Sequence, residues 1–148
     1  GIQINIKKGQ FLSPYAVKDI VEKCRHYGDR TLSRVCITER GTTFGYQNLV
    51  VDMTGLQIIK DTTNNIPLII DGTHAVQQPA TTDGKSGGNR SFVTNLVQAA
   101  LTYKLAGVFI ECHEDPDNAP SDGPNALHLK DMPKILQTLK DIDNFIKE

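Results

Sequence analysis

A short apolar run, a polar loop and an amphipathic helix follow one another four times along this chain of 148 residues. The apolar runs predict strands at residues 2–7, 35–38, 67–71 and 107–111. After each run, apolar side chains recur every three or four residues, which is the spacing of a helix with one buried face. Strands that alternate with helices pair in parallel through right-handed crossovers. The pattern therefore indicates an α/β protein with a parallel sheet.

The predicted helices have recognisable boundaries. Ser13 is a plausible N-cap with Pro14 at the first helical position, and Gly28 is a natural stop for that helix. The second helix holds Leu56 and Ile59 on one side. We expect the third helix to bury Val93, Leu96, Val97, Ala100 and Leu101. The last helix is marked by Met132, Ile135, Leu136, Leu139 and Ile142.

Two architectures fit four such units, a small doubly wound sheet or half of a (β/α)8 barrel. Length alone favours the doubly wound sheet, because a complete barrel needs about 200 or more residues. The polar residues favour the barrel, since each predicted strand ends in charged or coordinating side chains. These strand-end residues are Lys7, Lys8, Glu39, Arg40, Asp71, His74, Glu111 and His113. Because the carboxyl ends of parallel strands meet at one edge, we expect a common site there.

Charge and hydropathy exclude several classes of partner. The net charge of −1 provides no general attraction to nucleic acid. The longest apolar runs, residues 67–70 and 107–110, are far too short to span a bilayer. Cys24, Cys36 and Cys112 lack CxxC spacing, which favours buried thiols in a reducing compartment. We therefore expect a cytoplasmic protein with a small-molecule ligand and without a nucleic-acid or membrane partner.

Several strand-end residues suit an anionic ligand. Lys7 and Arg40 offer two cations for a phosphate or a carboxylate. Residues 84–90 are basic, rich in glycine and placed before a helix, where backbone amides can hold an anion. This segment lacks the spacing of a nucleotide P-loop, so it fits either a mobile loop or a lid over a phosphorylated substrate.

A second group of residues suits a divalent ion. His74, Glu111 and Asp122 provide one nitrogen and two oxygen ligands. A hydrogen-bonded trio that organises substrate and water fits the same three residues equally well, and the residues alone leave both interpretations open. His26 and His128 fall at a helix end and in a predicted loop, so we expect them at the surface.

Six short sequence motifs point to a particular protein family. They occupy residues 5–11, 39–41, 44–52, 71–77, 86–88 and 121–124. In the same order, they resemble strings of the 3-deoxy-D-manno-octulosonate-8-phosphate synthase family. The resemblance implies a homotetrameric (β/α)8 barrel, the TIM barrel, that condenses phosphoenolpyruvate with arabinose 5-phosphate in lipopolysaccharide biosynthesis. Residues 1–148 would then be the C-terminal half of that single domain, with its last four βα units, and would be inactive alone.

The same resemblance implies roles for individual residues. Lys7 and Arg40 would hold the phosphate of phosphoenolpyruvate, and Asn5 would also bind substrate. Ser86 and Arg90 match the loop that closes over the sugar phosphate. The implied catalytic residues, which are metal ligands in the metal-dependent members, are His74, Glu111 and Asp122. The cofactor would be zinc, iron or manganese, or there would be none, because the position that separates the two kinds of member lies in the N-terminal half.

Two alternatives remain at the level of the sequence. A related synthase that uses erythrose 4-phosphate shares the barrel and the string at residues 121–124, but residues 7–11 and 44–52 favour the octulosonate enzyme. The other alternative is a non-catalytic, flavodoxin-like α/β module that binds a phosphorylated ligand. A closed core and a monomer would favour that module, whereas half a barrel predicts an uncovered apolar sheet face and self-association.

Overall fold

A computed structural model describes residues 2–79 and 87–148 of the chain. The strands are β1 (Ile4–Lys7), β2 (Val35–Glu39), β3 (Thr42–Thr43), β4 (Leu49–Val50), β5 (Leu68–Asp71), β6 (Gln77–Gln78), β7 (Gly87–Gly88), β8 (Gly107–Phe109), β9 (Cys112–His113) and β10 (Leu127–His128). The helices are α1 (Val17–His26), α2 (Asp29–Leu32), α3 (Met53–Thr62), α4 (Gly72–Ala75), α5 (Val93–Leu101) and α6 (Met132–Lys147). Single 3₁₀ turns lie at Pro14–Ala16, Arg90–Phe92, Pro116–Asn118 and Leu129–Asp131.

The main sheet contains four parallel strands in the order β1-β2-β5-β8, so neighbours in the sheet are also successive units of the chain. This arrangement confirms the predicted parallel α/β pattern. The fourth strand ends at Phe109 rather than at Glu111, because its neighbour β5 ends opposite it at Asp71 and turns into α4. The remaining strands pair in twos, with β3 against β4, β6 against β7 and β9 against β10.

One face of the main sheet carries the core. The strand side chains in the main buried cluster are Val35, Ile37, Leu68 and Ile70, with Ile6 and Val108 packed against it. These residues occupy alternate positions, which point to the same side of a strand. Helices α1, α3, α5 and α6 all contribute to this cluster. The helices therefore pack on one face, unlike those of a doubly wound sheet, which cover both faces.

The opposite face, which we call the open face, contains Asn5, Lys7, Cys36, Thr38, Ile69, Asp71 and Phe109. The four helices of the core lie on the other side of the sheet, whereas the short helix α4 contacts this face through His74, which lies beside Asp71 and Phe109. The sequence predicts an uncovered apolar face, but Thr38 and Asp71 on this face are both fully buried. Asn5, Lys7 and Asp71 interrupt the apolar surface, because this face carries the strand-end polar groups as well as apolar side chains.

Local signals position the helices as predicted, with some differences. The Ser13 side chain accepts a hydrogen bond from the Ala16 N–H (3.3 Å), and the 3₁₀ turn after it continues into α1. Gly28 follows the helix with a φ of 96°, a left-handed value that glycine adopts without strain. The sequence did not predict the short helix α2 directly after it. Leu96, expected to be buried, is half-buried, and Leu136 on α6 is 50% exposed.

The cysteines differ from the expectation of burial. Cys24 and Cys36 are half-buried, and Cys112 is exposed. Cys36 lies on the open face, and Cys112 lies in the two-stranded ribbon β9–β10, so neither faces the helix-covered core. In the described part of the chain, none of the helices combines the length and the apolarity that crossing a bilayer requires.

Candidate active site at the strand ends

Two predicted strand-end residues, Lys7 and His74, converge on the carboxylate of a third, Asp71. Lys7 at the end of β1 places Nζ 2.7 Å from Asp71 Oδ2 at the end of β5. His74 in α4 places Nδ1 2.9 Å from the same oxygen, and its backbone N–H donates to Asp71 Oδ1 (2.9 Å). The ammonium group of Lys7 also lies 5.0 Å from the ring centroid of Phe109 on β8, a cation–π distance.

Asp71 is fully buried and remains ionised. Burial by itself raises the pKa of Asp71, but the hydrogen bonds from the side chain and backbone of His74 and from Lys7 outweigh it and leave the pKa below its usual value. Lys7 is only a donor, so the acceptor for both Lys7 Nζ and a protonated His74 Nδ1 is Asp71. Lys7 Nζ also lies 3.1 Å from His74 Nδ1, so this nitrogen either donates to Asp71 or accepts from Lys7, and the contacts fit both tautomers of the imidazole.

His74 Nε2 faces two further carboxylates. It lies 3.5 Å from Glu111 Oε1 and 3.9 Å from Asp122 Oδ1, and one ligand atom from each residue falls within 4.8 Å of the others. Glu111 is held by its backbone N–H, which donates to Thr73 Oγ1 (2.7 Å). The structure thus brings together the three residues that the sequence proposed as ligands or as a hydrogen-bonded trio.

This acceptor cluster, formed by His74, Glu111 and Asp122, fits a divalent ion. In the tautomer with its proton on Nδ1, the lone pair of Nε2 faces the two carboxylates, and a metal ion or an added proton would satisfy these three acceptors. A mixed nitrogen and oxygen set suits zinc, iron or manganese. Asp71 on the far side of the imidazole matches the carboxylates that orient metal-binding histidines in proteins.

Arg40 lies directly after β2 and is buried. Its Nη2 donates to Gln77 Oε1 (3.0 Å), and among residues 2–79 and 87–148 its Nε has no acceptor and its guanidinium has no ion-pair partner. Burial lowers the pKa of Arg40 by more than the neighbouring carboxylates of Asp71, Glu39 and Asp122 raise it. Arginine nevertheless stays charged. A buried cation with a spare donor next to the acceptor cluster suits an anionic ligand.

The two adjacent lysines at the end of β1 have different surroundings. Lys7 is on the open face, whereas the Lys8 side chain is fully buried and donates to Thr42 Oγ1 (2.9 Å) and Leu12 O (3.1 Å). Its Nζ also lies 3.5 Å from Glu39 Oε1. Lys8 and Glu39 thus fasten the loops after β1 and β2 rather than face a ligand. The alternation of side chains along a strand was the available signal for this difference.

The other predicted site residues lie as follows. The side chain of Asn5 is on the open face, where Oδ1 accepts from Thr38 Oγ1 (2.6 Å). Ser86, like the rest of residues 80–86, lies outside the described residues. The Arg90 guanidinium contacts Asp117 and Gly123, in the segment that carries Asp122.

The remaining histidines fall outside the acceptor cluster. His113 is exposed, and its Nδ1 accepts from the backbone N–H of Asp115 (3.0 Å). His26 is exposed, as predicted. The expectation that His128 is a surface residue is wrong in degree: it is half-buried because it lies in β10, paired with β9, and its Nε2 is 3.4 Å from Arg90 Nη1.

The fold and the site define an α/β protein with cations and an acceptor cluster at the carboxyl ends of parallel strands. The model of the DAHP synthetase I family matches residues 1–148, and the chain belongs to that family. It is 50% identical over 147 residues to the 2-dehydro-3-deoxyphosphooctonate aldolase of Agrobacterium fabrum, covering 99% of this chain and 50% of the relative.

Other relatives carry the same name. The chain is 48% identical over 147 residues to the enzyme of Methylobacterium radiotolerans, with 99% of this chain and 51% of the relative covered. It is 46% identical over 148 residues to that of Xylella fastidiosa, with 100% of this chain and 52% of the relative covered. The chain spans about half the length of the curated relatives it matches. These names confirm the resemblance to octulosonate phosphate synthases, which are also called by this aldolase name.

Proposed function

We propose that this chain forms half of a synthase that condenses phosphoenolpyruvate with arabinose 5-phosphate and water, giving 3-deoxy-D-manno-octulosonate 8-phosphate and phosphate. The observation that carries the proposal is the convergence of Lys7, Asp71 and His74 with Glu111 and Asp122 at the strand ends. The names of the relatives support the choice of substrates. The erythrose 4-phosphate alternative has no such support among those relatives.

The barrel is part of this proposal. Successive strands that lie side by side, with helices on one face, form an arc of the kind that closes into a (β/α)8 barrel. Strands β1 and β8 are the two edges of the sheet. We propose that they pair with strands of the other half, so that residues 1–148 supply the last four βα units. Closure would also cover the open face.

The residues suit the reaction as follows. In the condensation, carbon 3 of the enol attacks the aldehyde carbon, negative charge develops on the aldehyde oxygen, and water adds at carbon 2. Lys7 and Arg40 would hold the phosphate of phosphoenolpyruvate, which leaves as the hemiketal collapses to the ketone. Asn5 on the open face would contact the same substrate. Fixed cations stabilise developing negative charge best where water is excluded.

His74 would handle a proton at Nε2, in the tautomer in which Nδ1 donates to Asp71. A divalent ion, where one is used, would be held by His74, Glu111 and Asp122 and would supply Lewis-acid polarisation of an oxygen. Without an ion, the same three groups would position the attacking water by hydrogen bonds.

We further propose that the full-length protein is a cytoplasmic homotetramer that acts on phosphorylated small molecules, without nucleic-acid or membrane partners. Exposed aromatic side chains support subunit contacts, since Phe11 is 85%, Tyr46 is 71% and Phe44 is 68% exposed. Sedimentation of the full-length protein at several concentrations tests the tetramer.

Phosphate release tests the activity. The full-length synthase and residues 1–148 are each incubated with phosphoenolpyruvate plus either arabinose 5-phosphate or erythrose 4-phosphate. We expect release by the full-length protein with arabinose 5-phosphate alone, and none by residues 1–148. Release only with erythrose 4-phosphate would overturn the substrate assignment.

Variants test the site itself. Lys7→Met should lower kcat/KM for phosphoenolpyruvate by about a hundredfold or more, the order of loss for one stabilising donor. Lys18→Met, on the exposed side of α1, is the matched control and should leave activity unchanged. Treatment with a chelator, followed by zinc, iron or manganese, decides whether the acceptor cluster uses an ion.

A further inference from the structure

Arg90 connects to the segment that carries Asp122 on both sides of that residue. Arg90 Nη2 donates to Asp117 Oδ1 (2.6 Å) and to the carbonyl oxygen of Gly123 (2.7 Å). Nη1 lies 3.4 Å from His128 Nε2. The backbone N–H of Arg90 also donates to Pro124 O (2.9 Å).

The segment around Asp122 has little regular structure of its own. It contains one 3₁₀ turn and the two-residue strand β10, and Asp122 itself adopts a left-handed φ of 52°. Gly123 is packed so closely that an added Cβ would lie 2.4 Å from Pro116 O. The 3.9 Å between Asp122 Oδ1 and His74 Nε2 therefore depends on side-chain contacts rather than on a helix or a long strand.

The Nη2 donor of Arg90 is already engaged. Its two N–H groups donate to a carboxylate and a carbonyl of the same segment. A sugar phosphate that bound at Nη2 would have to displace Asp117, Gly123 or both. The outer contact alone contributes little, because Asp117 is 73% exposed and surface ion pairs are weak. The inner contact to buried Gly123 is the one that fixes the backbone next to Asp122.

We propose that Arg90 is a positioning residue that holds Asp122 against His74, rather than a ligand of the sugar phosphate. The inference rests on the proposed function of the acceptor cluster and revises the role that the sequence suggested for Arg90. Displacement of a reacting group by about 1 Å can cost a hundredfold in rate, so losing this connection should lower kcat.

Steady-state kinetics of the full-length synthase separate the two roles. Arg90→Met should lower kcat about 10- to 100-fold while KM for arabinose 5-phosphate changes less than about threefold. Arg90→Lys should recover part of kcat, since its ammonium group keeps the charge and can donate to Asp117 or Gly123 but has no second nitrogen to place beside His128. A rise in KM for arabinose 5-phosphate with unchanged kcat would overturn the proposal.

A substitution of Asp117, the outer acceptor of Arg90 Nη2, tests the same proposal without changing Arg90. Asp117→Asn should cause a smaller loss of kcat than Arg90→Met. The double variant should have the same kcat as Arg90→Met alone, because both substitutions weaken the same connection between Arg90 and the segment that carries Asp122. If Arg90 bound substrate instead, Asp117→Asn would leave kcat unchanged and the losses would add. Arg25→Met removes an exposed ion pair with Glu22 on α1 and is the control that should change nothing.

Hydrogen exchange gives a readout that does not require turnover. In Arg90→Met, amides of residues 117–128 should exchange faster than in the unaltered protein, whereas those of residues 53–62 in α3 should not. Unchanged exchange in residues 117–128 would refute the connection whether or not the protein is active. Failure of the unaltered synthase to release phosphate would refute the proposed function and leave this exchange result to be judged separately.

Discussion

The buried Lys8 offers a direct test of what holds the strand-end loops together. Its side chain is 0% exposed, and its ammonium group lies within 3.3 Å of three neutral oxygens, Thr42 Oγ1, Leu12 O and Gly9 O. The balancing charge is Glu39, whose Oε1 is 3.5 Å away and whose side chain is 6% exposed. Methionine fills a similar volume without charge or donors, so Lys8→Met removes only the polar interactions.

The loss of stability in Lys8→Met comes from the Glu39 carboxylate, which stays buried without its lysine. Removing one partner of a buried ion pair costs about 3–5 kcal/mol, because the other charge stays buried without compensation. Glu39 would keep one short hydrogen bond, from the Gly41 N–H at 2.6 Å. We therefore expect Lys8→Met to lower the free energy of unfolding by about 3–5 kcal/mol. Adding Glu39→Gln should recover about 1–3 kcal/mol, since the unpaired charge is then gone.

Lys60 is the matched control. It is a half-buried lysine that donates one hydrogen bond, to Tyr103 O at 2.8 Å, so Lys60→Met should cost only about 1 kcal/mol. Urea unfolding followed by circular dichroism, at one fixed protein concentration, measures all four chains. If Lys8→Met costs no more than Lys60→Met, with equal m values, water reaches Lys8 and the reasoning from burial is wrong.

Three further predictions concern the site and its supports. Folding lowers the pKa of Asp71 below its value of 3.8 in the unfolded chain. The ionised carboxylate therefore stabilises the fold fully at pH values above 3.8, and this stabilisation is lost as the pH falls through the lower pKa of the folded state. Unfolding free energies should thus fall more steeply below about pH 4 for the unaltered chain than for Asp71→Asn, and equal slopes would refute this. Gly88→Ala should lower the stability by about 1–3 kcal/mol in thermal unfolding, because the added Cβ would lie 1.5 Å from Asn125 Oδ1. Gly107→Ala is the control and should be nearly neutral, because its Cβ would lie 3.8 Å from the nearest atom, Cγ1 of Ile69. Asp52→Ala removes the N-cap of α3, which accepts from Thr54 N (2.9 Å), and should cost about 1 kcal/mol in the same assay; no change would mean that water replaces the cap.

The parallel sheet could be predicted because its signals are local. Short apolar runs, the spacing of buried helical residues such as Val17 and Val21, and the Ser13–Pro14 start all act within a few residues of one another. The position of the site followed from one further rule, that parallel strands place their ends at one edge. That rule was enough to bring Lys7 and His74 to the same neighbourhood.

What could not be predicted depends on pairs far apart in the chain. Asp71 was noted only as a strand-end charge, yet it accepts from Lys7, 64 residues earlier, and from His74. Arg90 meets its acceptors 27 and 33 residues later. No periodicity encodes such contacts, because they arise only when loops from different βα units pack together. The early end of β8 has the same origin, since the length of its neighbour sets it.

The pair Lys7 and Lys8 shows how stability and chemistry divide within two residues. Side-chain alternation sends Lys7 to the open face and Lys8 behind it, so identical side chains meet opposite environments. Lys8 faces Glu39, the residue before Arg40, and thereby fixes the start of the loop that carries the buried guanidinium. Lys7 faces Asp71, which also lies against Nδ1 of His74. A one-residue shift of β1 would keep only one of the two ion pairs, because Lys8 would replace Lys7 beside Asp71 or Lys7 would replace Lys8 beside Glu39, and the other carboxylate would lose its lysine. The register of β1 against β2 is therefore as much a part of the candidate site as its charged residues.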